Sequence, residues 1–238
     1  MRFFITSLLP VMFLAYSSQA WATYSIVATD RTSRQVGGAT TSCVQGSSVS
    51  LVYEAAPGIG AVHAQAYSNR EARAAAVQLL NQGYSAAETL QAITSTRYDQ
   101  YAAYRQYGIV SFDETVAYTG SNNGEFAGDL QGRSESYRYT IQGNILTSEQ
   151  VLLQSEAAFI AGGCDLADKL MLALEAGAAN GEGDQRCRPM APADAAFIQV
   201  DNADGSAYLR LDIRASRQPL RELRQRFDQW RRQNPCQS

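Results

Sequence analysis

A threonine follows the run Ala20-Trp21-Ala22. Small-x-small is the cleavage signature of a secretory leader, and residues 1–22 carry the rest of one. Arg2 supplies the positive charge and residues 3–16 the apolar stretch. Cutting after Ala22 makes Thr23 the first residue of the mature chain. A threonine with a free α-amine joins a hydroxyl nucleophile and a base in one residue. An α-amine titrates near pH 8, against about 10.4 for a lysine side chain, so it is the natural acceptor for the hydroxyl proton near neutrality. An amide nitrogen is not basic, so leader removal is then also the activation step.

The remaining residue types narrow the chemistry. The chain has one histidine, His63. A Ser-His-Asp or Cys-His enzyme would have to use it, and a zinc site built from several histidines is excluded. His63 falls on an expected strand, on the same face as Gln65, which allows either a pocket residue or a core histidine. No Walker-type or dinucleotide-type glycine motif sits between a strand and a helix. The expectation is chemistry without metal or organic cofactor.

The four cysteines are Cys43, Cys164, Cys187 and Cys236. An even number in an exported chain favours disulfides over a metal site. Spacing does not fix connectivity. The preferred pairing is Cys164–Cys187, tying the start of a helix to the loop after it, with Cys43–Cys236 stapling the C-terminal tail to the N-terminal region.

With 20 basic and 23 acidic side chains in 238 residues, the formal charge is −3, and no basic face suggests a nucleic-acid partner. No second long apolar run follows the leader, so no membrane span is expected. Position 23 is not cysteine, which removes the usual bacterial lipoprotein anchor. The product is expected in the periplasm or secreted, alone or as a homo-oligomer.

The elements that must hold Thr23 follow from periodicity. Residues 23–29 alternate and are rich in β-formers; 36–42 return as the second arm of a hairpin. Residues 49–55 and 60–66 read as a second strand pair around Pro57-Gly58. Residues 70–82 form a helix stopped by Gly83, and Ser85 with Glu88 makes a capping box for a helix through Thr94. Strands are expected at 106–112, 116–119 and 136–143, and helices at 148–161 and 165–176. Residues 195–200 and 208–213 pair across the turn containing Asp201, Asn202 and Asp204, a better hairpin than calcium loop because no glutamate completes a ligand set. A closing helix stripes Leu220, Leu223, Phe227 and Trp230. Its arginines (Arg221, Arg224, Arg226, Arg231 and Arg232) read as a solvated face. Strands in hairpins and helices in consecutive pairs predict an α+β fold with largely antiparallel sheet, a single domain over residues 23–238.

The opening Thr23-Tyr24-Ser25-Ile26-Val27-Ala28 resembles that of an uncharacterised prokaryotic family with an N-terminal-nucleophile (Ntn) hydrolase-like fold. Further matches follow in order. They are Gly58-Ile59-Gly60-Ala61-Val62 with Gln65-Ala66, then Arg105-Gln106-Tyr107-Gly108 and Tyr118-Thr119-Gly120. Gln142-Gly143-Asn144-Ile145-Leu146 follows, and the segment from Leu170 to Gly177 continues into Gly183-Asp184-Gln185-Arg186. The resemblance implies a four-layer αββα sandwich and names no reaction. Cys187 departs from the family's usual glycine and, with Cys164, looks like an adaptation of exported members.

On this reading Thr23 is the nucleophile, and the Asn144 amide is either an oxyanion donor or a turn residue. Gln65 and Arg105 orient substrate or make structural bonds; Asp184 and Arg186 shape the pocket or fix a loop. The expected function is an exported Ntn-type amidohydrolase acting on a small amide or peptide-like substrate. The alternatives are a non-enzymatic periplasmic binding protein on the same scaffold, or a peptidoglycan-fragment amidase.

Overall fold

The computed structural model describes residues 23–44, 46–187 and 189–236. The expected leader and its cleavage site at Ala22 lie outside the described residues. The first strand, β1 (Thr23–Asp30), is buried along its whole length, yet its side chains alternate in character. Tyr24, Ile26 and Ala28 join one hydrophobic cluster. Ser25 on the opposite face hydrogen-bonds into the second sheet. Successive residues of a strand point to opposite faces, so β1 must be covered on both.

It lies inside a six-stranded antiparallel sheet of order β10-β9-β2-β1-β8-β7. The partners are β2 (Gln35–Ser42), β7 (Gly128–Arg133), β8 (Tyr137–Asn144), β9 (Ala195–Asp201) and β10 (Ala207–Ile213). A four-stranded antiparallel sheet has the order β3-β4-β5-β6, with β3 (Tyr53–Ala56), β4 (Gly60–Ala66), β5 (Arg105–Ser111) and β6 (Thr115–Thr119). Helices α3 (Gln150–Ala161), α4 (Leu166–Gly177) and α5 (Pro219–Gln233) bury their apolar sides against the larger sheet. Helices α1 (Arg70–Asn81) and α2 (Ala86–Thr94) do the same against the smaller one. The sheets meet through β1, β2, β4, β5 and β8. Among the described residues, two antiparallel sheets and five α-helices bear out the α+β expectation.

Local signals set most element ends. Asn69 caps α1 by accepting from Ala72 N–H, and Ser85 and Glu88 form the reciprocal capping box on α2. Two expectations fail locally. Residues 49–52 do not extend β3; they form a 3₁₀ turn capped by Ser48, in which Val49 and Val52 are both buried. Residues three apart eclipse in a 3₁₀ turn, so the apolar pair is satisfied without a strand. Strand β7 was not expected, because its segment contains two glycines and one apolar residue; pairing with β8 makes it an edge strand.

The cysteine pairing is corrected. The disulfides are Cys43–Cys187 and Cys164–Cys236, with Cα–Cα separations of 5.9 and 6.0 Å. Neither Cys164–Cys187 nor Cys43–Cys236 forms. Cys43 follows β2 directly, and the loop after Asp184 folds back onto that strand end; Cys164 precedes α4 where the last residues of α5 arrive. Among the described residues no helix is long and apolar enough to cross a membrane.

Candidate functional site

Thr23 opens β1 and stands opposite Ser42 on one side and Asn144 on the other. Directly opposed residues of antiparallel strands share a face, so three polar side chains collect at one end of the sheet. Thr23 Oγ1 lies 3.0 Å from Ser42 Oγ, a hydrogen bond that either hydroxyl can donate. Thr23, Ser42 and Asn144 are all buried.

Beneath them runs a relay of buried amides and hydroxyls between the sheets. Gln142 Nε2 donates to Ser25 Oγ (2.6 Å), and Ser25 Oγ donates to Gln65 Oε1 (2.6 Å). Gln65 Nε2 donates to Gln106 Oε1 (2.7 Å) and to the Thr23 carbonyl (3.3 Å). Gln106 Nε2 then donates to the Gly143 carbonyl (2.8 Å). A buried polar group without a partner costs about 1–3 kcal/mol, so a connected chain of this kind fixes one arrangement of side chains. Gln65 therefore holds the backbone of Thr23 from below.

His63 belongs to the same internal layer. It is fully buried, and Gln142 Nε2 lies 3.3 Å from its Nδ1. The donor on Gln142 makes Nδ1 the acceptor and leaves the ring proton on Nε2, beside Gly38. Burial first, and the Arg73 charge second, depress its pKa to about 3, so the ring is neutral at any ordinary pH.

Arg105 is buried and committed. Its Nε donates to Asp99 Oδ2 at 2.7 Å, another nitrogen donates to the Tyr67 carbonyl, and the guanidinium lies 4.5 Å from the Tyr67 ring centroid. Asp184 accepts from Cys43 N–H at 2.7 Å and from Arg186 N–H and Nη2 at 2.9 Å each. Burial pushes its carboxyl above the ordinary carboxylate range, against the opposing pull of Arg186. With the Cys43–Cys187 bond, Asp184 and Arg186 fasten the 184–187 segment to the residue after Ser42. Thr23, Ser42, Asn144, Gln65, Asp184 and Arg186 thus gather around one strand end, whereas His63 and Arg105 sit in the layers behind it.

Thr23 also lines a cavity of about 260 Å³. The wall includes Val44, Val49, Leu51, Val52, Ala66 and Tyr67, with Ser48, Ser68 and Arg70 as its other polar members. None of His63, Gln65 and Arg105 is in this wall. Two backbone positions beside the site are strained. Ala66, after Gln65, has φ +65°, and the β-branched Ile145, after Asn144, has φ +52°. Left-handed conformations at such residues cost of order 1–3 kcal/mol and cluster at functional sites.

Among the described residues, the clusters with metal-ligand composition are Cys43, Cys187 and Asp194, and Cys164, Asp168 and Cys236. In each, both sulfurs are bonded to one another, leaving a single carboxylate. Sequence reasoning found Thr23, Gln65 and Asn144 but passed over Ser42, Ser25 and Gln142. The available signal was the polar half of the alternation in β1, β2 and β8, visible only once both faces of those strands are known to be covered.

Residues 23–223 match the model of DUF1028, a family of unknown function. The chain is similar to the crystal structure of protein SPO2555 from Silicibacter pomeroyi, from the same family, with a TM-score of 0.72 and 23% identity. The match covers 88% of this chain and 89% of that one. Similarity at this level of identity concerns the fold. No curated protein matches the chain.

Proposed function

The chain belongs to the DUF1028 family, and from that premise we propose that it is an exported amide hydrolase of the N-terminal-nucleophile type. The observation that carries this reading is Thr23 itself: the first residue after the expected leader has its hydroxyl 3.0 Å from Ser42 Oγ and lines a cavity of about 260 Å³. Two sheets with helices packed against each support the four-layer αββα arrangement that such enzymes use. The mature domain spans residues 23–238 and works in the periplasm or outside the cell, with no metal or organic cofactor.

Once Ala22 is cleaved away, the Thr23 α-amine takes the proton from Oγ1, and Oγ1 attacks the carbonyl carbon of an amide. The C–N bond breaks, the departing amine leaves with the proton, and an ester to Thr23 remains. Water then attacks the ester with the amine again as base, releasing the carboxylic acid and restoring Thr23. Asn144, opposite Thr23 in the sheet, is the proposed oxyanion donor; loss of such a donor costs about 3 kcal/mol of transition-state stabilisation. Ser42 aims the nucleophile, and Gln65 fixes the Thr23 backbone. His63, buried and neutral, takes no part in proton transfer.

The test compares the chain beginning at Thr23, the same chain with residues still upstream of Thr23, and Thr23→Ala. Each is incubated with N-acyl 4-nitroanilides and with muropeptides, and intact mass is recorded with product release. An acyl adduct on Thr23, seen only when its amine is free, is the expected result. Turnover that survives Thr23→Ala undamaged sinks the mechanism. Saturable ligand binding indifferent to Thr23 would identify a binding protein instead.

A further inference from the structure

The cavity beside Thr23 is apolar along Val44, Val49, Leu51 and Val52. Among the described residues that line it, Arg70 is the only one with a charged side chain. The two serine hydroxyls of the wall are already engaged. Ser48 Oγ donates to Asp212 Oδ2 at 2.8 Å, and Ser68 Oγ donates to the Ala64 carbonyl at 3.2 Å. The Arg70 side chain is exposed and, among the described residues, without a hydrogen-bond or ion-pair partner. Arg73, one turn on, is held by Glu54, and Arg105 by Asp99. Glu71, adjacent in sequence, is not a helix-face neighbour of Arg70, since only residues three or four apart face one another.

We infer that the cavity takes an amide bearing a carboxylate a few atoms from the scissile carbonyl, and that Arg70 selects it. The inference rests on the reading of Thr23 as nucleophile. A guanidinium presents paired N–H donors that match a carboxylate, and charge-assisted bonds of this kind are about twice as strong as neutral ones. Arg70 opens α1, whose N-terminus adds a positive field at the same place. The cavity volume lies just below the usual 300–1,000 Å³ range for small-molecule sites, so the substrate is small. Its apolar stretch suits a short methylene chain between the amide and the charge.

Two readouts separate this inference from the reading it rests on. The first is binding of glutaramate, an amide and a carboxylate joined by three methylenes, against neutral pentanamide. Calorimetric titration uses the mature chain, Thr23→Ala, Arg70→Met and Arg70→Lys. Glutaramate should bind about tenfold more tightly than pentanamide to the mature chain and to Thr23→Ala. Arg70→Met should erase that margin, and Arg70→Lys should keep part of it. Arg70 is exposed and Thr23→Ala only trims a side chain, so circular dichroism should show all four chains folded. Equal affinities for the two probes, or a margin that survives Arg70→Met, overturn the inference.

The second readout is turnover of glutaryl- against pentanoyl-4-nitroanilide, with pentanoyl-4-aminobenzoate placing the carboxylate on the leaving half. A preference for either charged substrate that disappears in Arg70→Met supports the inference and tells which half is recognised. Indifference to charge in an active enzyme overturns it. Carboxylate-selective binding with no cleavage of any amide overturns the nucleophile reading and leaves Arg70 as the recognition residue.

Discussion

Thr23 Oγ1 and Ser42 Oγ share one hydrogen bond, and the proposed mechanism weights the two residues unequally. Thr23 is the proposed reacting atom, so Thr23→Ala should reduce turnover by at least about 10³-fold while leaving the fold intact. Ser42 only aims it; Ser42→Ala should lower kcat about tenfold with little change in KM, because a misplaced nucleophile is penalised in the transition state and not in binding. Steady-state kinetics on the two variants checks both. His63 gives a prediction about pH. Its folded pKa of about 3 lies below the unfolded value of about 6.5. Between those values the unfolded ring binds a proton and the folded ring does not, so stability is full above about pH 6.5 and falls as pH drops. From pH 7 to 4.5 this one group should remove roughly 2–3 kcal/mol. Urea unfolding of wild type and His63→Asn at the two pH values measures it, and equal losses in both chains would refute it.

At the scale of elements, β2 is packed closely on both faces through two adjacent glycines. A Cβ on Gly38 would collide with His63 Nε2 and Tyr53, and one on Gly37 would meet Gln199 O at 2.8 Å and Leu170 Cδ1 at 2.9 Å. One glycine admits the smaller sheet and the other admits α4 and β9. Gly38→Ala should therefore destabilise by about 1–3 kcal/mol through overpacking, and should loosen the Ser42 end of the strand as well. Its urea midpoint at pH 7 provides the check. The last helix corrects an expectation of the same scale. Its arginines do not all form a solvated face: Arg231 bonds to Asp165 at 2.7 Å and Asp168 at 3.0 Å, and Arg224 pairs with Glu175. The cations of α5 dock it on α4 while its apolar stripe fills the adjoining core.

For the whole molecule, the two disulfides close long stretches of chain, with sequence separations of 144 and 72. Cross-links over such loops typically contribute 2–4 kcal/mol, largely by restricting the unfolded chain. Reduction should lower the Tm, and peptide mapping under non-reducing conditions should recover Cys43–Cys187 and Cys164–Cys236. Recovery of Cys43–Cys236 would contradict the architecture. The two bonds differ in what they hold. Cys43–Cys187 joins the residue after Ser42 to the segment carrying Asp184 and Arg186, so Cys43→Ser with Cys187→Ser should cost activity as well as stability. Cys164–Cys236 fastens the chain end to the start of α4, and its removal should cost stability with turnover retained.

The amino-acid sequence by itself determined the periodic elements, the capping box at Ser85, the closing hairpin and the prominence of Thr23. Each of these depends on residues close together in the chain, where propensity and spacing act directly. It also carried the alternation of β1, in which Tyr24, Ile26 and Ala28 fall on one face and Thr23 and Ser25 on the other. What lay beneath that polar face was decided by tertiary structure alone. The Ser25–Gln65–Gln106–Gln142 network joins four strands from two sheets, and no spacing along the chain encodes which amide meets which. The same holds for the cysteines, whose connectivity follows from where the 184–187 segment and the end of α5 come to rest. Strand β7 and the 3₁₀ turn at Val49–Val52 were decided in this way too. Their local pattern is weak or ambiguous, and a neighbouring strand edge or a buried apolar pair settles the conformation.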